Sequence, residues 1–143
     1  MDLIDKLIAA KSSGDYSGII DELPYAKLLG VEMREENDDM QFVLRFQDKN
    51  IGNTLLPALH GGAIGGFLET AALLHLMWAR ESREVPKTID FSLDYLRSGK
   101  AQDLYARCDI TKQGKRVANV LMTAWQDDRS KPVAVARAHF LLV

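Results

Sequence analysis

The chain has a single cysteine, Cys108, among its 143 residues. One thiol excludes an intramolecular disulfide and any zinc site built from several cysteines. The ordinary role left to it is that of a small buried apolar residue. A basic excess is missing as well: 18 lysines and arginines stand against 20 acids, for a formal net charge of −2. A dedicated nucleic-acid binder would carry such an excess, so the expected partner is a small molecule or another protein. Long apolar runs free of charge are also lacking. The opening MDLIDKLIAAKSSGD sets acids beside its lysines and does not read as a secretory signal. The most apolar stretch, Ala58 to Ala79, contains His60, Glu69, Thr70 and His75. A glutamate in mid-span argues against a membrane helix. The expectation is a soluble, cytoplasmic protein without a membrane partner.

What is present is an ordinary globular composition, 47% apolar and 27% charged, with no repeat, low-complexity tract or like-charge block. At a mass of 16.0 kDa, area scaling gives about 7,400 Å² of folded surface and burial of roughly 68% of the unfolded surface. That supports one core without disulfide or metal. The expected organisation is one domain over residues 1–143, with residues 1–29 as an N-terminal helical extension.

Leu3, Ile4, Leu7 and Ile8 share one face of a helix over residues 2–11, which Asp2 can cap and Ser12-Ser13-Gly14 stops. A second helix fits Pro24 to Leu29, with Pro24 at a first helical position and Gly30 past the end. Strands follow at about 31–36 and 40–47, joined by Glu36-Asn37-Asp38-Asp39. Residues 48–59 read as a loop. From Ala63 to about Glu81 the chain is helical and apolar nearly all round, which predicts a buried helix. Gly65 and Gly66 weaken it by about 1 kcal/mol each; close approach of another backbone would justify them. Beyond Pro86 come four strands. Ile89, Phe91, Leu93 and Tyr95 alternate with Thr88, Asp90, Ser92 and Asp94. Residues 104–111, 117–125 and 133–143 follow, with a hairpin turn at Lys112 to Lys115, and the pattern implies an antiparallel meander. About six strands cannot lie flat around one apolar helix. A curved sheet wrapped round it, the α+β hotdog fold, is the economical solution.

The chemistry concentrates in LHGGAIGGFLETAALLHL, residues 59–76. His60, Gly61 and Gly62 fall at the expected helix start, where unpaired N–H groups and partial positive charge suit a carbonyl oxygen gaining negative charge. The same glycines would equally permit tight helix packing. Glu69 lies in mid-helix among Phe67, Leu68, Ala71 and Ala72. A buried carboxylate without a partner costs several kcal/mol, so Glu69 is either half of a structural ion pair or a functional group. Few basic residues lie nearby in sequence, which favours function, as general base or nucleophile. Gly61 and Glu69 stand about 12 Å apart along one helix, too far to engage one carbonyl together. Two antiparallel copies across a two-fold axis would bring Gly61 of one chain near Glu69 of the other. The expectation is a homodimer with composite sites, the pairing of dimers into a homotetramer being left open.

This segment resembles the signature of hotdog-fold acyl-CoA thioesterases of the PaaI type, the phenylacetate-degradation family. The matching residues are His60-Gly61-Gly62, Glu69 nine positions after the histidine, and the strand Thr88-Ile89-Asp90-Phe91-Ser92-Leu93-Asp94-Tyr95-Leu96-Arg97. The element order fits from about Gly30 to Val143. The resemblance implies hydrolysis of an acyl-CoA thioester without any cofactor. It puts the backbone oxyanion donor on Gly61, the catalytic carboxylate on Glu69 and a water-orienting hydroxyl on Thr88. His60 and Gly62 fall beside the substrate. The family's amide, six before the histidine, falls on Thr54 here; the neighbouring Asn53 is taken in its place.

Among the basic residues that follow strands or occupy turns, Arg97, Lys100, Lys112, Lys115 and Arg116, Arg97 leads as a ligand for the coenzyme A phosphates. His75 reads as a satisfied core residue, and His139 as core or interface. The histidines and acids lack metal-ligand spacing, so no metal is expected. No Gly-x-Ser-x-Gly elbow occurs. Two other readings of the same fold are a β-hydroxyacyl-thioester dehydratase, whose proline-containing histidine loop His60-Gly61-Gly62 fits poorly, and a non-catalytic acyl-CoA-binding module, which would not need Glu69.

Overall fold

A computed structural model describes residues 2–142. Met1 and Val143, the ends of the expected domain and of its last strand, lie outside the described residues. Three helices come first. In α1 (Leu3–Ser13) the Asp2 carboxylate accepts from Asp5 N–H at 3.0 Å, and Gly14, with φ of 79°, ends the helix. Ser12 and Ser13 stay helical, so α1 outlasts its expected end at residue 11. The helix α2 (Ser17–Asp21) has five residues, too few for a periodic signal. Pro24 and Gly30 (φ 85°) bound α3 (Pro24–Leu29) as expected.

The strands β1 (Val31–Glu36) and β2 (Asp39–Leu44) meet through Asn37 and Asp38, with φ of 53° and 62°, the left-handed pair that a two-residue hairpin requires. β2 stops at Leu44, short of the expected residue 47. Asp103 draws the chain off the ladder by accepting from Phe46 N–H and from Arg45 Nη1, each at 2.8 Å. The expected loop 48–59 contains a 3₁₀ turn (Asp48–Asn50) and a ribbon of β3 (Ile51–Asn53) with β4 (Ala58–Leu59). Then come α4 (Gly61–Arg80), β5 (Lys87–Tyr95), β6 (Leu104–Gln113), β7 (Val117–Trp125) and β8 (Ala134–Leu141).

Six antiparallel strands form one sheet in the order β1-β2-β6-β7-β8-β5. The expected meander holds for β6-β7-β8 only; β5 lies at the far edge, against β8. Residues 96–103 carry the chain across the sheet end: Leu96 N–H donates to the Val133 carbonyl and Leu59 N–H to the Gly99 carbonyl, both at 2.8 Å. The sheet curves round α4 in the hotdog arrangement. Its concave face is floored by small residues, Ala106, Ala124, Ala134, Ala136 and Ala138, between Phe42 and Phe140, all buried. Against them α4 buries Phe67, Leu68, Ala71 and Ala72; full burial of a Phe or Leu side chain contributes about 1.5–3 kcal/mol.

The helix is not buried all round. Gly62, Gly65, Gly66, Glu69, Thr70 and Leu73, spaced three and four apart, form a partly exposed stripe. It lies between the edge strand β5, whose Leu93 a Cβ on Gly65 would meet at 3.4 Å, and α3, whose Tyr25 a Cβ on Gly66 would meet at 3.1 Å. The N-terminal helices cover the end of α4, with Ile4, Leu7, Tyr16 and Ile19 buried. Lys11 Nζ donates to the Trp78 carbonyl at 2.6 Å and to Glu81 at 2.7 Å, placing a cation at the negative end of α4. The Tyr16 hydroxyl bonds Glu35, and burial first, then that contact, pushes Tyr16 up to about 12.

His75 is 6% exposed and packs between the Phe42 and Trp78 rings. It is a core residue but not a satisfied one: its Nδ1 has no hydrogen-bond partner among the described residues. Desolvation holds its pKa below the ordinary imidazole value. The unfolded chain therefore takes up a proton below about pH 6.5 that the native chain does not. Stability from this residue is complete above that pH and falls as pH drops toward the folded value. The urea midpoint should fall less steeply between pH 7 and 5 in His75→Leu than in the unmutated protein. Equal slopes would exclude His75 as the acid-sensitive group.

Candidate active site

The start of α4 is tightly specified. His60 caps it: Nδ1 accepts from Gly62 N–H at 2.8 Å, and the neutral imidazole then carries its proton on Nε2. His60 N–H donates to the Asn50 carbonyl at 2.7 Å. The β3 backbone passes so close that a Cβ on Gly52 would lie 2.7 Å from His60 Cα. Ala63 and Ile64 N–H groups both donate to the His60 carbonyl. Among the first N–H groups of α4, Gly61 N–H makes no hydrogen bond among the described residues. The Gly61 carbonyl accepts from the Tyr95 hydroxyl at 2.6 Å, and a Cβ on Gly61 would stand 3.0 Å from that oxygen. Gly61, Tyr95 and Arg97 line one groove of about 370 Å³. Arg97 Nη1 donates to the Pro132 carbonyl at 2.7 Å, which holds the guanidinium at the groove wall.

Glu69 sits on the half-exposed stripe, not in the core. It has neither hydrogen bond nor ion pair among the described residues. The ion-pair alternative finds no support among the described residues. Gly61 and Glu69 remain eight residues and about 12 Å apart on α4, so one chain does not unite them.

Thr88 corrects a face assignment. The register of β5 against β8 shifts between Thr88 and Asp90, making Ile89 the extra residue. Thr88 then pairs with Phe140, and Phe91 with Ala138. Cross-strand partners share a face, so Thr88 joins Phe91 on the concave side, where simple alternation would have separated them. Ile89 is left 54% exposed.

Residues 56–133, more than half of the chain, match the thioesterase superfamily. The chain belongs to that superfamily. Its curated relatives include the medium/long-chain acyl-CoA thioesterase YigI of Escherichia coli K12, 27% identical over 134 residues, which span 84% of this chain and 86% of that protein. A solved protein of Chromobacterium violaceum is 56% identical, with a TM-score of 0.81 and coverage of 97% of both chains. The BH2602 protein of Bacillus halodurans, solved with CoA, is 20% identical with a TM-score of 0.75, covering 99% of this chain and 91% of that one; at that identity the likeness is one of fold.

Other residues of this thioesterase-superfamily chain are positioned by local needs. The Asn53 side-chain oxygen accepts from Leu55 N–H at 2.9 Å and from Leu56 N–H at 3.2 Å, so it shapes the loop before β4. Asn50, on the 3₁₀ turn, touches the helix start through its backbone carbonyl, while its side-chain amide faces the end of α3. It is 6% exposed, donates from Nδ2 to the Leu29 carbonyl at 2.9 Å and receives His60 N–H on its own carbonyl. Sequence reading missed it because its role depends on the β3–β4 ribbon. Tyr95 was visible only as a strand residue; its contact with Gly61 depends on the fold. His139 is half exposed, and its Nδ1 lies 2.6 Å from the Asp90 carboxylate on the outer face, so it is not core. Cys108 is buried, and burial pushes its thiol far up, leaving little thiolate for nucleophilic chemistry.

Proposed function

We propose that this chain is an acyl-CoA thioesterase of the PaaI type, acting as a homodimer with two composite sites. The carrying observation is the pair of unused groups on one helix. Among the described residues Gly61 N–H makes no hydrogen bond at the positive end of α4, and Glu69 is a carboxylate without a partner on its partly exposed stripe. Antiparallel pairing of two α4 stripes about Gly65 would set Gly61 against Glu69 of the partner subunit. The edge strand β5, which exposes Ile89 and Tyr95, and the neighbouring Leu96 offer further surface for such a contact.

In this reading Gly61 N–H binds the thioester oxygen and stabilises the charge that develops there. Glu69 of the partner subunit either draws a proton from water as the water oxygen attacks, or attacks the carbonyl itself and is freed by water. The carbon–sulfur bond breaks, the sulfur leaves as the thiol of coenzyme A once protonated, and the acyl group leaves as a carboxylic acid. Arg97, at the wall of the Gly61 groove, meets a coenzyme A phosphate. The family assignment, the YigI relative and the CoA held by the Bacillus halodurans protein support this substrate class. The dehydratase reading gains no support, since His60 Nδ1 is occupied by Gly62 N–H.

Incubation with a panel of acyl-CoAs, with free thiol as the readout, should show protein-dependent release. Absence of release across acetyl, aromatic and long-chain esters would reject the proposal. Within it, Thr88 orients water or the carboxylate. Thr88→Ala should lower kcat by about two- to twelve-fold, the worth of one hydrogen bond, with KM little changed. A fall in melting temperature with unaltered kcat would reduce Thr88 to a strand residue.

A further inference from the structure

The stripe of α4 continues past Glu69 into a second groove, of about 230 Å³. Its walls include Leu3 of α1, Leu23 and Tyr25 at the start of α3, Leu73 and Met77 of α4, and Val85. Among the described residues no charged side chain lines it. Its one side-chain hydroxyl not on an aromatic ring, that of Thr70, is already donated to the Gly66 carbonyl at 2.7 Å. Tyr25 and Val85 stand 56% and 55% exposed at its rim. Leu73 follows Glu69 by one turn on the same stripe, so the groove opens beside the carboxylate. Tyr25 also closes over the stripe: a Cβ on Gly66 would meet its ring at 3.1 Å.

With Gly61 of the partner subunit set against Glu69, two grooves of opposite character leave the reacting carbonyl. One carries Arg97 and open backbone; the other is uncharged throughout. An acyl-CoA has the same asymmetry, with an anionic nucleotide at one end and a hydrocarbon at the other. We infer that the uncharged groove between α3 and the C-terminal half of α4 receives the hydrocarbon of the acyl group, so that the N-terminal helices set the accepted chain length. This rests on the thioesterase reading above. From Glu69 to Met77 is eight residues, about 12 Å of helix. An extended chain advances about 1.2 Å per bond, so an acyl chain of about ten carbons fills the groove.

The test is kcat/KM across saturated acyl-CoAs from butanoyl to hexadecanoyl, for the unmutated protein and for Leu73→Trp and Val85→Trp. Val85 is at the exposed rim, so its variant keeps the test open should Leu73→Trp not fold. Specificity should rise by about four-fold per methylene and level off near ten carbons. The decanoyl-to-butanoyl ratio should drop at least ten-fold in a folded variant. Calorimetric binding of decanoic acid, weakened in the same variants, reads the groove without turnover. A flat profile, or one that both folded variants leave unchanged, overturns the inference while the thioesterase reading stands. An unchanged profile with a shift from dimer to monomer on light scattering also overturns it, because a second copy then covers the groove. Decanoate binding that the variants weaken, without hydrolysis of any ester, rejects the enzymatic reading and keeps the groove.

Discussion

Glu69→Gln is expected to fold normally and to lose about 10²- to 10⁴-fold in kcat, the usual contribution of a general base. The amide is nearly isosteric with the carboxylate but accepts no proton and forms no acyl intermediate. Stability separates this from a structural role. Glu69 is half-buried with no compensating cation among the described residues. Removing its charge breaks no ion pair among the described residues, so the melting temperature should hold. A partner subunit that supplied a salt bridge would make it fall, since losing one member of a buried pair is strongly destabilising. Undiminished hydrolysis by the folded variant would eliminate Glu69 as the reacting group.

Signals confined to a few neighbouring residues were legible in the sequence. Pro24 and Gly30 bound α3 because each acts through its own backbone. Asn37 and Asp38 tolerate the left-handed hairpin turn, and His60 marks the start of α4 through a cap two residues long. What the sequence concealed depends on distant partners. Nothing in Thr88-Ile89-Asp90 announces the bulge that returns Thr88 to the concave face; the register against Phe140 and His139 decides it. The pairing of β5 with β8 depends on the crossing of residues 96–103. The apolar circumference of α4 suggested complete burial, but one sheet covers only one side, and the remaining stripe is only partly covered in the single chain, by Tyr25 and Leu29 of α3 at Gly66. The same stripe carries Glu69, so the residue that stood out as a misplaced charge in an apolar run is the one the sheet leaves uncovered.

That stripe leads to an experiment on assembly. Glu69→Gln removes the acid from one half-site. Gly61→Val crowds the other half: a bare Cβ there already meets the Tyr95 oxygen at 3.0 Å, and a branched side chain must displace the ring and intrude beside the free N–H. Tyr95 is 54% exposed and has room to swing outward, so the fold should tolerate the change. Each protein alone should be nearly inactive. Unfolded and refolded together in equal amounts, random pairing gives about half heterodimers. In a heterodimer one site collects both defects, and the other receives an intact Gly61 from one chain and an intact Glu69 from its partner. Activity should return to about one quarter of the unmutated value per chain. If each site drew both residues from a single chain, every site would carry one defect and mixing would restore nothing. The roughly 12 Å between the two residues along one helix favours recovery. Persistent inactivity with heterodimers verified by native mass would overturn the shared site and would leave hydrolysis itself to be explained from one chain.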